Sequence, residues 1–276
     1  MYKIDHIVHF VDDPKEAIKD LAKYGLHVVP GGRHEQWGTY NALCYFNTAY
    51  IEFIGIHDEE KFREAASVPY TLHDTYARRN YRNGLIRVAI STTTIEEDAR
   101  KLREAGFEVV GPDHFTRTRP DGSVVGWQLL HVGSEECQVE LPFFIQWDQP
   151  EEERLGEMQT SGIIREHEAG PLQIAEVSYI VPKFEVAREL LQLCMLESTV
   201  EMDEELKAEV LTVRTPTGNL AFYCPYDEGG AWDVLMEEGA GIHTLVLEGA
   251  SEEHALHYEN ASYLFRVRPE QEGPLL

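Results

Sequence analysis

A segment of this chain recurs 81 residues after it first appears, and that repeat limits the fold more than any other feature. "AIKDLAKYGLHVV" (17–29) lies over "DARKLREAGFEVV" (98–110), so that Leu21 meets Leu102, Gly25 meets Gly106, and Val28-Val29 meet Val109-Val110. The same offset places "IDHIVHFV" over "LIRVAIST". Similarity at a fixed spacing marks a structural unit used more than once. Each copy opens with apolar residues at period 2, which predicts a half-buried strand. An amphipathic helix follows, carrying Ala17, Ile18 and Leu21 in one copy and Ala99 and Leu102 in the other. Gly25 and Gly106 suit the left-handed position just past a helix end.

Three further β-type runs complete each copy. They are "LHVVPGG", "TYNALCYF" and "YIEFIGI" in the first, and "FEVVGP", "VVGWQLLHV" and "QVELPFFI" in the second. The unit is therefore β-α-β-β-β, with modules over 1–56 and 84–148. A polar, partly helical linker (57–83) joins them, and a Glu- and Gln-rich linker with little apolar periodicity follows (149–170). A divergent third copy begins at 171 with "LQIAEVSYIV", "KFEVARELLQLC" and a hairpin turning at Thr217-Gly218-Asn219. "GIHTLVLEG" and "SYLFRV" read as strands of a partial fourth unit. The expected organisation is an α+β chain of repeated βαβββ modules, with one domain over 1–148 and a divergent C-terminal one over 171–276.

Charge narrows the partners. Forty-nine acidic against 24 basic residues give a net charge of -25, a field that repels nucleic-acid phosphates and anionic lipid. A small-molecule ligand is expected, with no nucleic-acid or membrane partner. No apolar run approaches the roughly 20 residues that span a bilayer, and "MYKIDHIVHF" lacks the features of a signal peptide. Cys44, Cys137, Cys194 and Cys224 are scattered without a C-x-x-C pair, which fits free thiols in a reducing cytoplasm. Phosphate-cradling glycine loops and a G-x-S-x-G elbow are absent, so no nucleotide cofactor is expected.

One stretch, "GGRHEQWGTYNAL" (31–43), invites two readings. In one it is a hairpin turning at Gly31-Gly32, with Gly38 at a bulge or close approach. In the other, Arg33, His34, Thr39 and Asn41 also bind substrate, with His34 as general acid or base and Arg33 gripping a carboxylate or carbonyl. His9 falls on the strand face opposite His6 and reads as structural. His114, His131, His167, His254 and His257 lack ligand spacing and read as surface residues.

The paired βαβββ modules, the "DHIV" of the first strand, "GGRHEQWGTYNAL", "YIEFIGI", "WQL" and "LPFFIQWD" together resemble the glyoxalase-like domain family of the vicinal oxygen chelate superfamily, over about residues 1 to 150. That superfamily also holds glyoxalases, bleomycin-resistance proteins and extradiol dioxygenases. The resemblance implies paired curved sheets forming a cleft, and a divalent metal (Zn, Fe, Mn or Ni) held by first- and last-strand residues. Carried onto this sequence, the ligands are His6, Glu52 and Glu140, with Glu52 or Glu140 doubling as base. Arg87, expected among the substrate-binding residues, stands where a fourth ligand would be, and arginine cannot ligate a metal. Either the trio forms an open catalytic site, or Arg87 pairs with a glutamate and no metal binds. If the fourth unit completes the cleft, His243 replaces Glu140. Trp127 is expected as a cleft wall that binds substrate, Trp147 as an ordinary core or rim aromatic, and "LPFFIQWD" as packing between sheets. The implied function is a metal-dependent isomerase, lyase or dioxygenase acting on a small oxygenated substrate. The alternatives are a metal-free binding protein of the resistance type and, with least support, a scaffold. The cleft closes within one chain or across a homodimer.

Overall fold

This computed structural model describes residues 2–118, 124–135 and 139–268. The first module runs β1 (Lys3–Phe10), α1 (Pro14–Ala22), β2 (Val28–His34), β3 (Thr39–Phe46) and β4 (Ala49–Ile56). Helix α1 starts where Asp13 accepts from the Lys15 amide and Pro14 takes the first turn, where a missing N–H is harmless. The linker holds α2 (Glu59–Ala65) and α3 (Leu72–Arg78). The second module repeats the plan with β5 (Gly84–Ser91), α4 (Ile95–Glu104), β6 (Glu108–Thr118), β7 (Val124–Gly133) and β8 (Phe143–Trp147). Gly25 and Gly106 take φ of 74° and 91° after α1 and α4, as their position past a helix end requires.

These strands form one eight-stranded sheet in the order β2-β3-β4-β1-β5-β8-β7-β6. The two modules join through the antiparallel pair β1–β5 at its centre. The sheet curls until β2 and β6 approach each other at its two edges. The result is a trough whose concave face is written in the sequence at period 2.

The 149–170 linker contains α5 (Glu151–Thr160) despite its weak periodicity. Its buried Met158 packs with Leu43, Tyr45 and Tyr50. Beyond it, β9 (Gln173–Ile180), α6 (Glu185–Leu193), β10 (Ser198–Asp203), β11 (Ala208–Thr215) and β12 (Gly218–Pro225) form the third βαβββ unit. Helix α7 (Ala231–Glu238) leads to β13 (Gly241–Glu248), β14 (His254–Tyr258) and β15 (Ala261–Arg266), in which no helix lies between β13 and β14. The second sheet runs β10-β11-β12-β9-β13-β15-β14.

The main core contains Ile4, Ile7, Phe53 and Val88 from the first sheet and Val177, Leu220, Leu245 and Tyr263 from the second. His9 is completely buried there; its Nδ1 bonds to the Tyr263 hydroxyl, and the two rings stack. Burial pushes His9 down to about 3, against the backbone hydrogen bond to Glu259. Cys44, Cys194 and Cys224 are free thiols, and Cys137 lies outside the described residues. Among the described residues, no helix is long and apolar enough to cross a membrane.

Candidate functional site

The concave face of the first sheet encloses a chamber of about 230 Å³. Alternate residues of each strand line it: Asn41, Leu43 and Tyr45 from β3; Tyr50, Glu52 and Ile54 from β4; Val125, Trp127, Leu129 and His131 from β7; Phe143, Ile145 and Trp147 from β8. This is the face selection that a pleated strand imposes. His6 enters from β1, His34 and Trp37 from the β2–β3 hairpin, and Thr71, Leu72 and His73 from the start of α3, which closes one side. The volume lies below the roughly 300–1,000 Å³ of drug-sized sites, so it suits a small molecule or one end of a longer one.

His6 and Glu52 meet in this chamber. Parallel pairing of β1 with β4 sets His6 beside Tyr50 and Val8 beside Glu52. His6 Nε2 then stands 3.7 Å from Glu52 Oε2, too far for a hydrogen bond. Behind it, His6 Nδ1 lies 2.7 Å from Asp5 Oδ1, and the ring stacks on Tyr50 at 4.8 Å between centroids. Asp5 also accepts from the Trp147 indole at 2.9 Å and lies 3.6 Å from Arg154 Nη2. Burial pushes the Asp5 carboxyl up; the His6 hydrogen bond and the charges of His6 and Arg154 outweigh it and hold the carboxyl below its ordinary value. An ionised carboxylate only accepts, so His6 donates from Nδ1 and presents Nε2 to the chamber.

Glu52 is held in turn by Asn41, whose Nδ2 donates to Oε1 at 2.6 Å while its Oδ1 accepts from the Gly32 amide at 2.7 Å. Thr39 is buried behind His34, with Oγ1 3.0 Å from His34 Nδ1. The hairpin therefore does shape the site, but the glycines serve a different purpose from the expected turn. The turn falls at residues 35–38, whereas Gly31 and Gly32 lie within β2 at a register shift between Pro30 and Arg33. A Cβ at Gly31 would lie 1.9 Å from Asn41 Oδ1, and one at Gly32 would lie 2.6 Å from Arg117 Nη1. Both glycines are there for close approach.

Four expected residues are placed elsewhere. Glu140 precedes β8 and pairs with Arg78 Nη2 at 2.5 Å and Arg87 Nη1 at 3.5 Å, outside the chamber. The register explains this: Val8 faces Glu52, and the matching Ala89 faces Phe143. Phe143, not Glu140, occupies the position equivalent to Glu52, and it lines the chamber instead of packing between sheets. Arg87 is fully buried, donating from Nη1 to the Tyr70 carbonyl at 2.8 Å and lying near Thr75 Oγ1 at 3.2 Å, and does not reach the chamber. Arg33 projects outward, 3.9 Å from Glu35. His243 lies in the second sheet, where its Nε2 approaches the Gly239 carbonyl at 2.9 Å. Among the described residues, those lining the chamber fall between His6 and Trp147, so strands β9 to β15 do not complete this hollow.

Trp127 lines the chamber as expected. Trp147 does too, beyond the ordinary rim role expected of it, and His131 and His73 were not expected there. His131 continues the series Val125, Trp127, Leu129 at period 2, a signal that was present in the sequence. Burial pushes His73 down to about 3 and His131 well below its ordinary range, the latter with help from the Arg87 charge. Burial lowers His34 as well, against the Glu52 charge. These three imidazoles are neutral at pH 7. His167, expected on the surface, is buried with Nε2 2.9 Å from the Tyr45 carbonyl.

The donor set does not fit the expected metal. An open catalytic site takes three protein ligands, and His6 with Glu52 supplies two. Among the described residues, no three His, Cys, Asp or Glu side chains converge closely enough to hold an ion.

Two βαβββ modules joined edge to edge around a concave hollow define a vicinal oxygen chelate fold. The chain belongs to the glyoxalase-like domain family, whose model matches residues 4–194 and so extends past the first sheet to the end of α6. Among solved structures, a hypothetical protein from Staphylococcus aureus is similar over 97% of this chain and 100% of its own, at 20% identity and a TM-score of 0.79. A mutant of 4-hydroxymandelate synthase from Streptomyces coelicolor is similar over 89% of this chain and 70% of its own, at 14% identity and a TM-score of 0.54. At such identities the likeness is one of fold. The search of curated proteins finds no match.

Proposed function

We propose that this protein moves a proton on a small carbonyl-bearing molecule held in the chamber, as an isomerase or lyase does, with His6 as the base. The observation that carries this is the Asp5–His6–Glu52 arrangement. A buried carboxylate fixes Nδ1, the free Nε2 faces the hollow, and a second carboxylate stands 3.7 Å away. Nε2 takes a proton from carbon next to the carbonyl, and the C–H electron pair passes into an enolate. With the Thr39 hydroxyl donating to Nδ1, His34 keeps its proton on Nε2 and donates to the enolate oxygen. His6 then returns its proton to carbon. Glu52 offsets the imidazolium charge that forms between the two transfers. Such general base catalysis is worth about 10²–10⁴ in rate. Among the described residues no third protein ligand joins His6 and Glu52, and side chains alone carry each proton transfer.

A panel of small ketones and keto acids in D₂O, followed by loss of the α-proton NMR signal, tests this. Catalysed exchange on at least one member is expected. The apolar lining, with Trp37, Trp127 and Trp147, supports a second reading as a metal-free binding protein. Ligands that quench tryptophan fluorescence, with no exchange on any of them, would favour that one.

A further inference from the structure

The chamber does not end at its own wall. A second hollow of about 940 Å³ lies between β2–β3 and α5, and it shares Leu43, Tyr45, Arg117, Val125 and Trp147 with the chamber. Two guanidiniums line this outer groove. Arg117, half-buried on β6, stands on the boundary between the two hollows, lying over Gly32, and among the described residues it has neither an ion pair nor a hydrogen-bond partner. Arg154 on α5 is buried and already paired with Asp5 at 3.6 Å; its guanidinium lies 4.3 Å from the Trp147 ring centroid, which leaves Arg117 as the guanidinium of this groove without a counter-charge among the described residues. The carboxylate on the groove wall, Glu157, is exposed and accepts from Gln149 at 2.8 Å. In a chain of net charge -25, an unpaired guanidinium at the neck of an apolar passage has the charge and fork geometry to receive a carboxylate.

We propose that the ligand is an elongated carboxylic acid. Its oxygenated head sits in the chamber beside His6, its apolar body passes Leu43, Tyr45 and Val125, and its carboxylate lies against Arg117. This rests on the chamber as the ligand site and names the substrate class; it assigns to Arg117 the carboxylate grip expected of Arg33. Gly32 belongs to the same device, because a side chain there would displace the guanidinium.

The test is equilibrium binding of 4-benzoylbutyrate, a phenyl ketone with a terminal carboxylate, against its primary amide, read by tryptophan fluorescence. The acid is expected to bind at least about tenfold more tightly than the amide. That preference is expected to vanish in Arg117→Met and shrink in Gly32→Ala, which keeps the charge but moves it, and to persist in Arg33→Met. Acid and amide binding within about twofold of each other overturns the proposal, as does failure of both to bind, or a preference that survives both Arg117→Met and Gly32→Ala. Because the readout is binding alone, absence of proton exchange on these ketones counts only against the role given to His6.

Discussion

Asp5 and His6 are consecutive in one strand, yet the Asp5 carboxylate holds the His6 ring at 2.7 Å. Regular alternation would send them to opposite faces. The register of β1 against β5 slips between Ile4 and His6: Ile4 faces Ile90 and His6 faces Ala89. Asp5 is the extra residue of a β-bulge, the usual device for re-aiming a side chain beside a site.

The first expectation concerns this pair directly. Nitrogen-resolved NMR of the histidine rings should find neutral His6 protonated on Nδ1. Asp5→Asn should lose that fixed tautomer and also destabilise the fold by about 3 kcal/mol, because Arg154 loses a buried counter-charge. A wild-type His6 protonated on Nε2 would show that Asp5 does not orient the base.

Acid should weaken the fold well before it reaches the ordinary carboxylate range. His9 and His73 are both pushed down to about 3 by burial, whereas the unfolded chain takes up their protons near 6.5. Stability is therefore fully present above about pH 6.5 and is lost as pH falls toward 3, since the unfolded state binds more protons throughout that window. Each such histidine contributes a loss on the order of 1–2 kcal/mol between neutrality and about pH 5. Urea unfolding at the two pH values checks it, and His9→Phe should flatten the dependence. Equal stability at both would contradict the buried, neutral state of these rings.

Gly31→Ala should disable the site more than it harms the fold. The new Cβ would meet Asn41 Oδ1 at 1.9 Å, so Asn41 must move and release Glu52. A stability loss of about 1–3 kcal/mol is expected from the local overpacking. Any ketone ligand found by fluorescence should bind at least about tenfold more weakly. Undiminished binding would separate the Asn41–Glu52 bond from ligand recognition.

Divalent metals provide a separate check on the two-donor site. Chelator treatment should leave the Tm unchanged, and Zn²⁺, Mn²⁺, Ni²⁺ or Fe²⁺ added at micromolar levels should not raise it. A metal bound near stoichiometry would stabilise by mass action, by about 2.7 kcal/mol at a hundredfold excess over Kd. A clear upward shift that His6→Gln abolishes would restore the ligand role expected from the sequence.

The repeat was legible because periods of 2 and 3.6 are local properties of a chain, and both modules obey them. The meeting of His6 with Glu52 followed from those periods together with the family resemblance. Glu140 lies outside the chamber because β8 begins at Phe143, just past Pro142, so the β-type run expected around Glu140 is not strand at that residue. The Asp5 bulge could not be read at all, since a bulge is a mismatch between two strands and neither strand records it alone. Arg117 escaped for a related reason: it gains its place by lying over Gly32 across the nearly closed trough, a contact between segments 85 residues apart.

Deuterium exchange at the α-carbon of a bound ketone, measured with chelator present for the wild type and for His6→Gln, bears most directly on the proposed chemistry. The wild type should exchange without added metal, and His6→Gln should slow exchange by about 10²-fold or more while ligand binding stays within about threefold. Exchange that needs an added divalent ion, or that proceeds unchanged without the imidazole, would contradict it.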